Sequence, residues 1–398
     1  MNLPAGYLRQ HLIDPDLCAR CNGCEEACTR KAITHDYRCY AVDVERCDQR
    51  MDCIRACSTG AIDNWRVVPA DQAYSLDDQL SWLELPPPLP LAQEAESQAI
   101  QDAVTQAGRR AHAPQSAAKP VLNLFTPQAP GMAKILENLA LTTPADGAEV
   151  RHIVLGFDDQ PCPLLEGQSV GVIPPGVDAE GRPHHVRLYS VASARDGERP
   201  GTGCVAFTIK RVLQDHAGNA VRGICSNYLA DLAAGSTVQV TGPVGDTFLM
   251  PDEPGAALLM ICTGTGIAPM RGMIQRRQRQ SATHGGPLTL FYGGRTPAEL
   301  PYHDELLGLP AGFVDVHCAF SRVPGRPRHY VQDLLRQQAE LVARLILRER
   351  CYVYLCGLTA MERGVHDALA DILRAASVDW DQLRPQLVSE GRFHVEVY

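Results

Sequence analysis

Four cysteines, Cys18, Cys21, Cys24 and Cys28, stand in a Cys-x2-Cys-x2-Cys-x3-Cys run, and most of that run returns 29 residues later. Cys18, Cys24, Cys28, Ala32 and Ile33 recur as Cys47, Cys53, Cys57, Ala61 and Ile62, so the segment reads as two copies of one short unit. No other feature limits the fold so narrowly. Short loops let several thiolates converge, and soft anionic sulfur suits iron or zinc. Seven of the 15 cysteines lie in the first 57 residues of a 398-residue chain. Such crowding points to metal ligation in a reducing compartment, not to the disulfide scaffold of a short secreted protein. The register breaks once: Arg50 stands where the second copy needs the equivalent of Cys21. A guanidinium stays protonated and cannot ligate iron.

Beyond this module the chain is ordinary globular sequence, 45% apolar, and long enough to bury two or three cores. A formal charge of -9 argues against a nucleic-acid partner, which calls for a basic surface. No basic-then-apolar leader opens the sequence and no apolar run reaches membrane-spanning length, so a soluble cytoplasmic protein without a membrane partner is expected. Composition divides the chain into 1–70, cysteine-rich; 71–119, a Pro/Ala/Gln-rich linker with one helix near Ala92 to Arg109; 120–252, short β-like runs between Gly and Pro turns; and 253–398, apolar strands alternating with helical stretches. The third region predicts a small antiparallel barrel and the fourth a parallel sheet of βαβ units.

The cysteine run resembles that of bacterial ferredoxins; a structural zinc site is the plainer alternative. The resemblance implies a [4Fe-4S] cluster on Cys18, Cys21, Cys24 and Cys57, and a second site on Cys28, Cys47 and Cys53. With Arg50 in register, that second site holds a [3Fe-4S] cluster, or a [4Fe-4S] cluster whose fourth iron is held by Asp48, Asp52, Cys39 or solvent, or it has decayed to buried thiols.

From about Pro120 onward the chain resembles plant-type ferredoxin-NADP reductases. The segment RLYSVAS, Arg187 to Ser193, carries that family's R-x-Y-[ST] signature, followed in family order by IKRV, GICSNYLADL and TGPVG. The resemblance implies an antiparallel β-barrel FAD domain. There Arg187 forks onto the flavin pyrophosphate, Tyr189 lies against the isoalloxazine and Ser190 places a hydroxyl near its reactive nitrogen. Cys225 and Ser226 approach the FAD phosphates, and Lys210 the NADP pyrophosphate. Gln214 departs from the family, which has a tyrosine over the adenine.

The strand-turn segment MICTGTGIAPM, Met260 to Met270, with Thr263, Gly264, Thr265 and Gly266 at its turn, lets a phosphate approach backbone N–H groups at a helix start. It resembles the nicotinamide-nucleotide site of an α/β parallel-sheet NADP domain. Ser321, Arg322, Arg328 and Tyr330 fall where the family gathers donors around the 2'-phosphate, so NADPH is expected as reductant. Cys356, in YLCGL, is expected beside the nicotinamide. The RFHVEVY segment puts Glu396 and Tyr398 where the family has a proton-relaying glutamate and an aromatic ring that covers the flavin.

The predicted fold is therefore multidomain: an α+β ferredoxin-like iron-sulfur module, a β-barrel FAD domain and an α/β NADP domain. The expected activity is electron transfer from NADPH through FAD and iron-sulfur clusters to a separate acceptor protein, with Ser190, Cys356, Glu396 and Tyr398 as catalytic residues. The fusion, with GAIDNWRVV, resembles reductase components of the benzoyl-CoA 2,3-epoxidase type in aromatic degradation, which implies a diiron oxygenase partner. The alternatives are a fused ferredoxin-NADP reductase working with soluble ferredoxin or flavodoxin, and a redox sensor without turnover.

Overall fold

The computed structural model describes residues 3, 6–36, 38–57, 59–62, 65–87, 89, 112–142, 144, 149–157, 162–179, 181–214, 218–280 and 285–398. The helix expected near Ala92 to Arg109 lies outside these residues. The chain forms two compact units, Met1–Ala111 and His112–Tyr398.

In the first unit, strand β1 (Tyr7–Gln10) pairs antiparallel with β4 (Arg66–Pro69), and β2 (Ile33–His35) with β3 (Tyr40–Val42). The sequence repeat is a structural repeat. Helices Gly23–Ala27 and Asp52–Ala56 occupy equivalent places, and the Ile33–Val42 pairing is matched by the Ile13–Ile62 bridge. The turn bonds agree: Cys18 N–H donates to Asp14 O and Cys47 N–H to Asp43 O, both at 3.0 Å. The core is small, built from Ile13, Ile33, Tyr40, Val42, Ala61 and Ile62 around the cysteines.

The segment read as linker from Asp71 onward carries a helix, Leu76–Ser81, capped by Ser75 and Asp78. It docks onto β3 through the buried Gln79. Its amide accepts from Val42 N–H and donates to Val42 O, both at 2.9 Å, as a neighbouring strand would.

In the second unit, β5 (Gly131–Ala140), β6 (Val150–Gly156), β7 (Ser169–Ile173), β8 (Arg187–Ser190), β9 (Val205–Lys210) and β10 (Thr237–Val244) form an antiparallel sheet in the order β8-β7-β10-β5-β6-β9. A bridge between Val191 and Phe207 joins the two edges, so the sheet curls into a barrel around Ile135, Ile153, Leu155, Val170, Val172 and Phe207. Closure of this kind removes free edges.

The remaining strands, β11 (Ala257–Thr263), β12 (Leu288–Gly294), β13 (Asp315–Phe320), β14 (Cys351–Gly357) and β15 (Phe393–Val397), are parallel in the order β13-β12-β11-β14-β15. Alternation along β11 serves two cores. Leu259 and Ile261 face helices Val331–Gln337, Ala339–Ile346 and Thr359–Ala375, whereas Leu258, Met260 and Cys262 face helix Ile267–Arg279. Burial on both faces explains why the strand is almost continuously apolar. The order reverses between β11 and β14, and in such sheets the crevice at the strands' carboxyl ends binds ligands. Among the described residues no helix is long and apolar enough to cross a membrane.

Candidate functional site

At that crevice the carboxyl ends of three strands come into register. Cys262 on β11 is paired with Cys356 on β14, and Cys356 with Glu396 on β15. Ser190, at the end of barrel strand β8, reaches the same row: its Oγ donates to Glu396 Oε2 at 3.4 Å and lies 3.4 Å from Ser169 Oγ. Burial pushes the Glu396 carboxyl up to about 7, and the Ser190 hydrogen bond opposes that rise. Burial likewise holds the Cys356 thiol well above its ordinary value, so it is a neutral, compact wall of the site.

Tyr398 is pinned to the end of β14, its N–H donating to Gly357 O at 3.0 Å. Its hydroxyl meets Thr265 Oγ1 at 2.6 Å, while 54% of the residue stays exposed. The turn that carries Thr265 is built for close approach. Gly264 has φ +56, and a Cβ on Gly266 would run into the Cys356 carbonyl. Helix Ile267–Arg279 begins immediately after, with its unpaired N–H groups and positive end toward the crevice. Tyr292 donates to Gly264 O at 2.9 Å and steadies the turn. Neither Ser169 nor Tyr292 stood out in the sequence, since each reads there as an ordinary strand residue.

On the barrel, Arg187 and Tyr189 lie on β8 with Ser190, Lys210 ends β9, and Cys225 and Ser226 lie in helix Ile224–Asp231. Tyr189 and Cys225 share a hydrogen bond. Ser226 Oγ accepts from Val212 N–H at 3.2 Å, which fastens the loop before its helix. Gln214 is exposed and bridges to Ala220.

At the other edge of the sheet, Ser321 follows β13, and both its N–H and its hydroxyl donate to Gly294 O, at 3.0 and 3.2 Å. Arg322, Arg328 and Tyr330 are exposed, and neither arginine has an ion-pair partner among the described residues. Exposed cations without acidic partners at a strand's carboxyl end suit a phosphate. Arg326 shares this surface and was missed, although it lies in the same RVPGRPR segment.

The first unit has a site of its own. A cavity is lined by Cys18, Cys21, Cys24 and Cys57 with Ile13 and Tyr40. Cys28, Cys47 and Cys53 form the second group, with Cys53 close to both of the others. Burial, reinforced by the neighbouring thiols, pushes Cys18 up to about 12 and Cys53 to about 12. Backbone N–H groups of Arg20 and Gln49 reach the sulfurs of Cys18 and Cys47, and Ala32 N–H donates to Cys28 Sγ at 3.3 Å. Among the described residues no three His, Cys, Asp or Glu side chains gather as ligands of a metal ion.

Residues 260–367 match the family described as an oxidoreductase NAD-binding domain. The cyanelle ferredoxin-NADP reductase of Cyanophora paradoxa is 38% identical over 289 residues, covering 70% of this chain and 79% of that protein. The chloroplastic enzyme of Spinacia oleracea is 33% identical over 326 residues, covering 79% of this chain and 84% of that protein. The solved ferredoxin-NADP+ reductase of Plasmodium falciparum shares the fold, with a TM-score of 0.54 at 24% identity over 70% of this chain and 99% of that one. With that identity and coverage, and with a barrel followed by a parallel sheet whose crevice joins Ser190 to Glu396, the chain belongs to the ferredoxin-NADP reductase family, a family of NADPH-dependent oxidoreductases.

Proposed function

We propose that the 120–252 barrel holds FAD, that the 253–398 sheet binds NADPH, and that the electrons leave to a separate protein, with ferredoxin or flavodoxin the favoured acceptor. The observation that carries this reading is the Ser190–Glu396 contact, a hydroxyl and a half-neutral carboxyl brought together from two domains at the sheet's crevice. The relatives described above are named for ferredoxin. None of them is named for an oxygenase, so the diiron acceptor ranks second.

When bound, FAD supplies acceptance of hydride and release of single electrons. The chain's own residues bind and orient. Arg187, with the amides around Cys225 and Ser226, holds the FAD phosphates; Tyr189 and Tyr398 supply flat apolar faces. The Thr263–Gly266 turn receives the NADPH pyrophosphate, with Lys210 adding charge, and Ser321, Arg322, Arg328 and Tyr330 take the 2'-phosphate. Glu396 and Ser190 hold a proton near neutral pH at the crevice, and Cys356 excludes water beside them. The relatives' names favour turnover over the sensor reading.

The first unit supports iron-sulfur clusters in place of a single zinc ion. Its cysteines ring a cavity instead of meeting at a point, as suits a group that offers each thiolate its own iron. A set of partly buried thiols that oppose one another's ionisation fits a polycationic core. Cys18, Cys21, Cys24 and Cys57 would hold one [4Fe-4S] cluster, and Cys28, Cys47 and Cys53 the second site. Clusters there supply one-electron carriage.

The test is NADPH oxidation by the purified holoprotein with ferredoxin, with flavodoxin and with a diiron oxygenase component. Rapid reduction of ferredoxin or flavodoxin is expected. Turnover with the oxygenase component alone would overturn the choice of acceptor, and indifference between NADH and NADPH would overturn the 2'-phosphate site.

A further inference from the structure

We propose that the second cysteine group is a built three-thiolate site that takes a three-iron cluster, Arg50 standing where a fourth thiolate would be needed. This deepens the iron-sulfur reading and rests on it. The sequence left decay and substitute ligands open; the backbone and the side-chain partners decide between them.

The second loop keeps the shape of the first in full. Arg20 and Asn22 have φ +58 and +67, and their counterparts Gln49 and Met51 have φ +60 and +67; Lys31 at +52 is matched by Gly60 at +65. Left-handed conformation costs a non-glycine residue roughly 1–2 kcal/mol, and four such residues in one repeated pattern form a site under constraint, not a relic. Such turns direct N–H groups to a common concavity, and the Gln49 N–H reaches Cys47 as the Arg20 N–H reaches Cys18. Among the four cysteine positions of the first copy, only one is not kept in the second: Arg50 stands in place of Cys21.

Each side chain that could substitute is otherwise engaged. Arg50 Nε lies 3.5 Å from Asp52 Oδ2, and Arg30 Nε lies 3.7 Å from Asp48 Oδ2. These exposed pairs are individually weak, but they set a fixed positive charge beside each carboxylate, which both competes for it and repels a ferrous ion. Cys39 is buried, donates from Sγ to Trp82 O at 3.3 Å, and has Asp36, Arg20 and Arg38 as its charged neighbours. Three thiolates with no fourth cysteine in register match a cluster that needs three ligands.

The experiment uses the full chain, purified anaerobically, with iron and sulfide counted per protein and the oxidised sample read by EPR and Mössbauer spectroscopy. About seven irons and a three-iron signal are expected from the ligand count. Incubation with excess ferrous iron and reductant should leave the count at seven, and Arg50→Cys should raise it to eight while replacing the three-iron signal with a second four-iron one. Cys53→Ser should lose the three-iron signal and keep the four-iron centre. Eight irons in the parent, before or after iron loading, would overturn the proposal and point to a carboxylate or solvent ligand; four irons would overturn it as an empty second site. A chain that binds no iron at all would instead remove the iron-sulfur reading itself.

Discussion

Ser190 Oγ and Glu396 Oε2 meet at 3.4 Å although 206 residues separate them in the chain. The contact joins the end of barrel strand β8 to the last strand of the parallel sheet, at a carboxyl that burial raises to about 7 against the pull of the Ser190 hydrogen bond.

Because burial raises the Glu396 carboxyl to about 7 from an ordinary 4.5, the folded chain binds this proton more tightly than the unfolded chain. Its contribution to stability is complete below pH 4.5 and is lost as pH rises through 7. Turnover should show an inflection near that pH. Glu396→Gln is expected to flatten the profile and lower kcat by roughly 100-fold, the lower end for a general acid or base. Ser190→Ala removes the hydrogen bond that opposes the rise, so its inflection should move to higher pH. An unchanged profile in Glu396→Gln would exclude the carboxyl as the titrating group.

Arg322→Ala and Arg328→Ala should each raise the KM for NADPH about 10-fold or more, the value of one charged hydrogen bond, and leave the constants for NADH unchanged. The contact is made equally before and during reaction, so kcat should hold. Steady-state kinetics with both nucleotides checks this, and equal losses for NADH and NADPH would place these arginines elsewhere.

Tyr398→Ser should tighten binding of NADP+ about tenfold (~1.4 kcal/mol) without loss of FAD, since the ring and the nicotinamide compete for one face. Slower nucleotide release and a lower kcat are expected. Titration of flavin absorbance with NADP+ measures the effect; release of FAD with unchanged nucleotide affinity would refute the stacking role.

Arg271 is 5% exposed and donates to both carboxylate oxygens of Glu198, each at 2.8 Å, and to Glu305 and Ala192 O, with its guanidinium over Tyr302 at 4.5 Å. Tyr302 in turn meets His152, which burial lowers to about 4 and keeps neutral. Arg271→Ala strands a partly buried carboxylate, and breaking such a pair costs about 3–5 kcal/mol. Denaturant unfolding should register that loss, whereas a change below about 1 kcal/mol would show that the network relaxes into water.

The sequence by itself determined the classes of element and much of the chemistry. Cysteine spacing and the 29-residue repeat marked two equivalent cysteine loops, because such loops are local. The change from Gly- and Pro-punctuated strands to apolar strands with helices marked barrel and parallel sheet, because side-chain period is local too. RLYS and the glycine turn were legible for the same reason.

The tertiary structure decided everything that depends on distant residues meeting. Composition alone made Asp71 onward a linker, but Gln79 finds both backbone groups of Val42 and the helix docks. No local pattern links Ser190 to Glu396, Tyr292 to Gly264 O, or Arg271 to Glu198. Arg50 was visible as a break in the cysteine repeat, yet the repeated left-handed backbone and the Arg30–Asp48 and Arg50–Asp52 pairs appear only in the fold. The physical reason is common to all: a side chain's pKa, partners and burial are set by what the fold lays against it, and that is not written in its sequence neighbours.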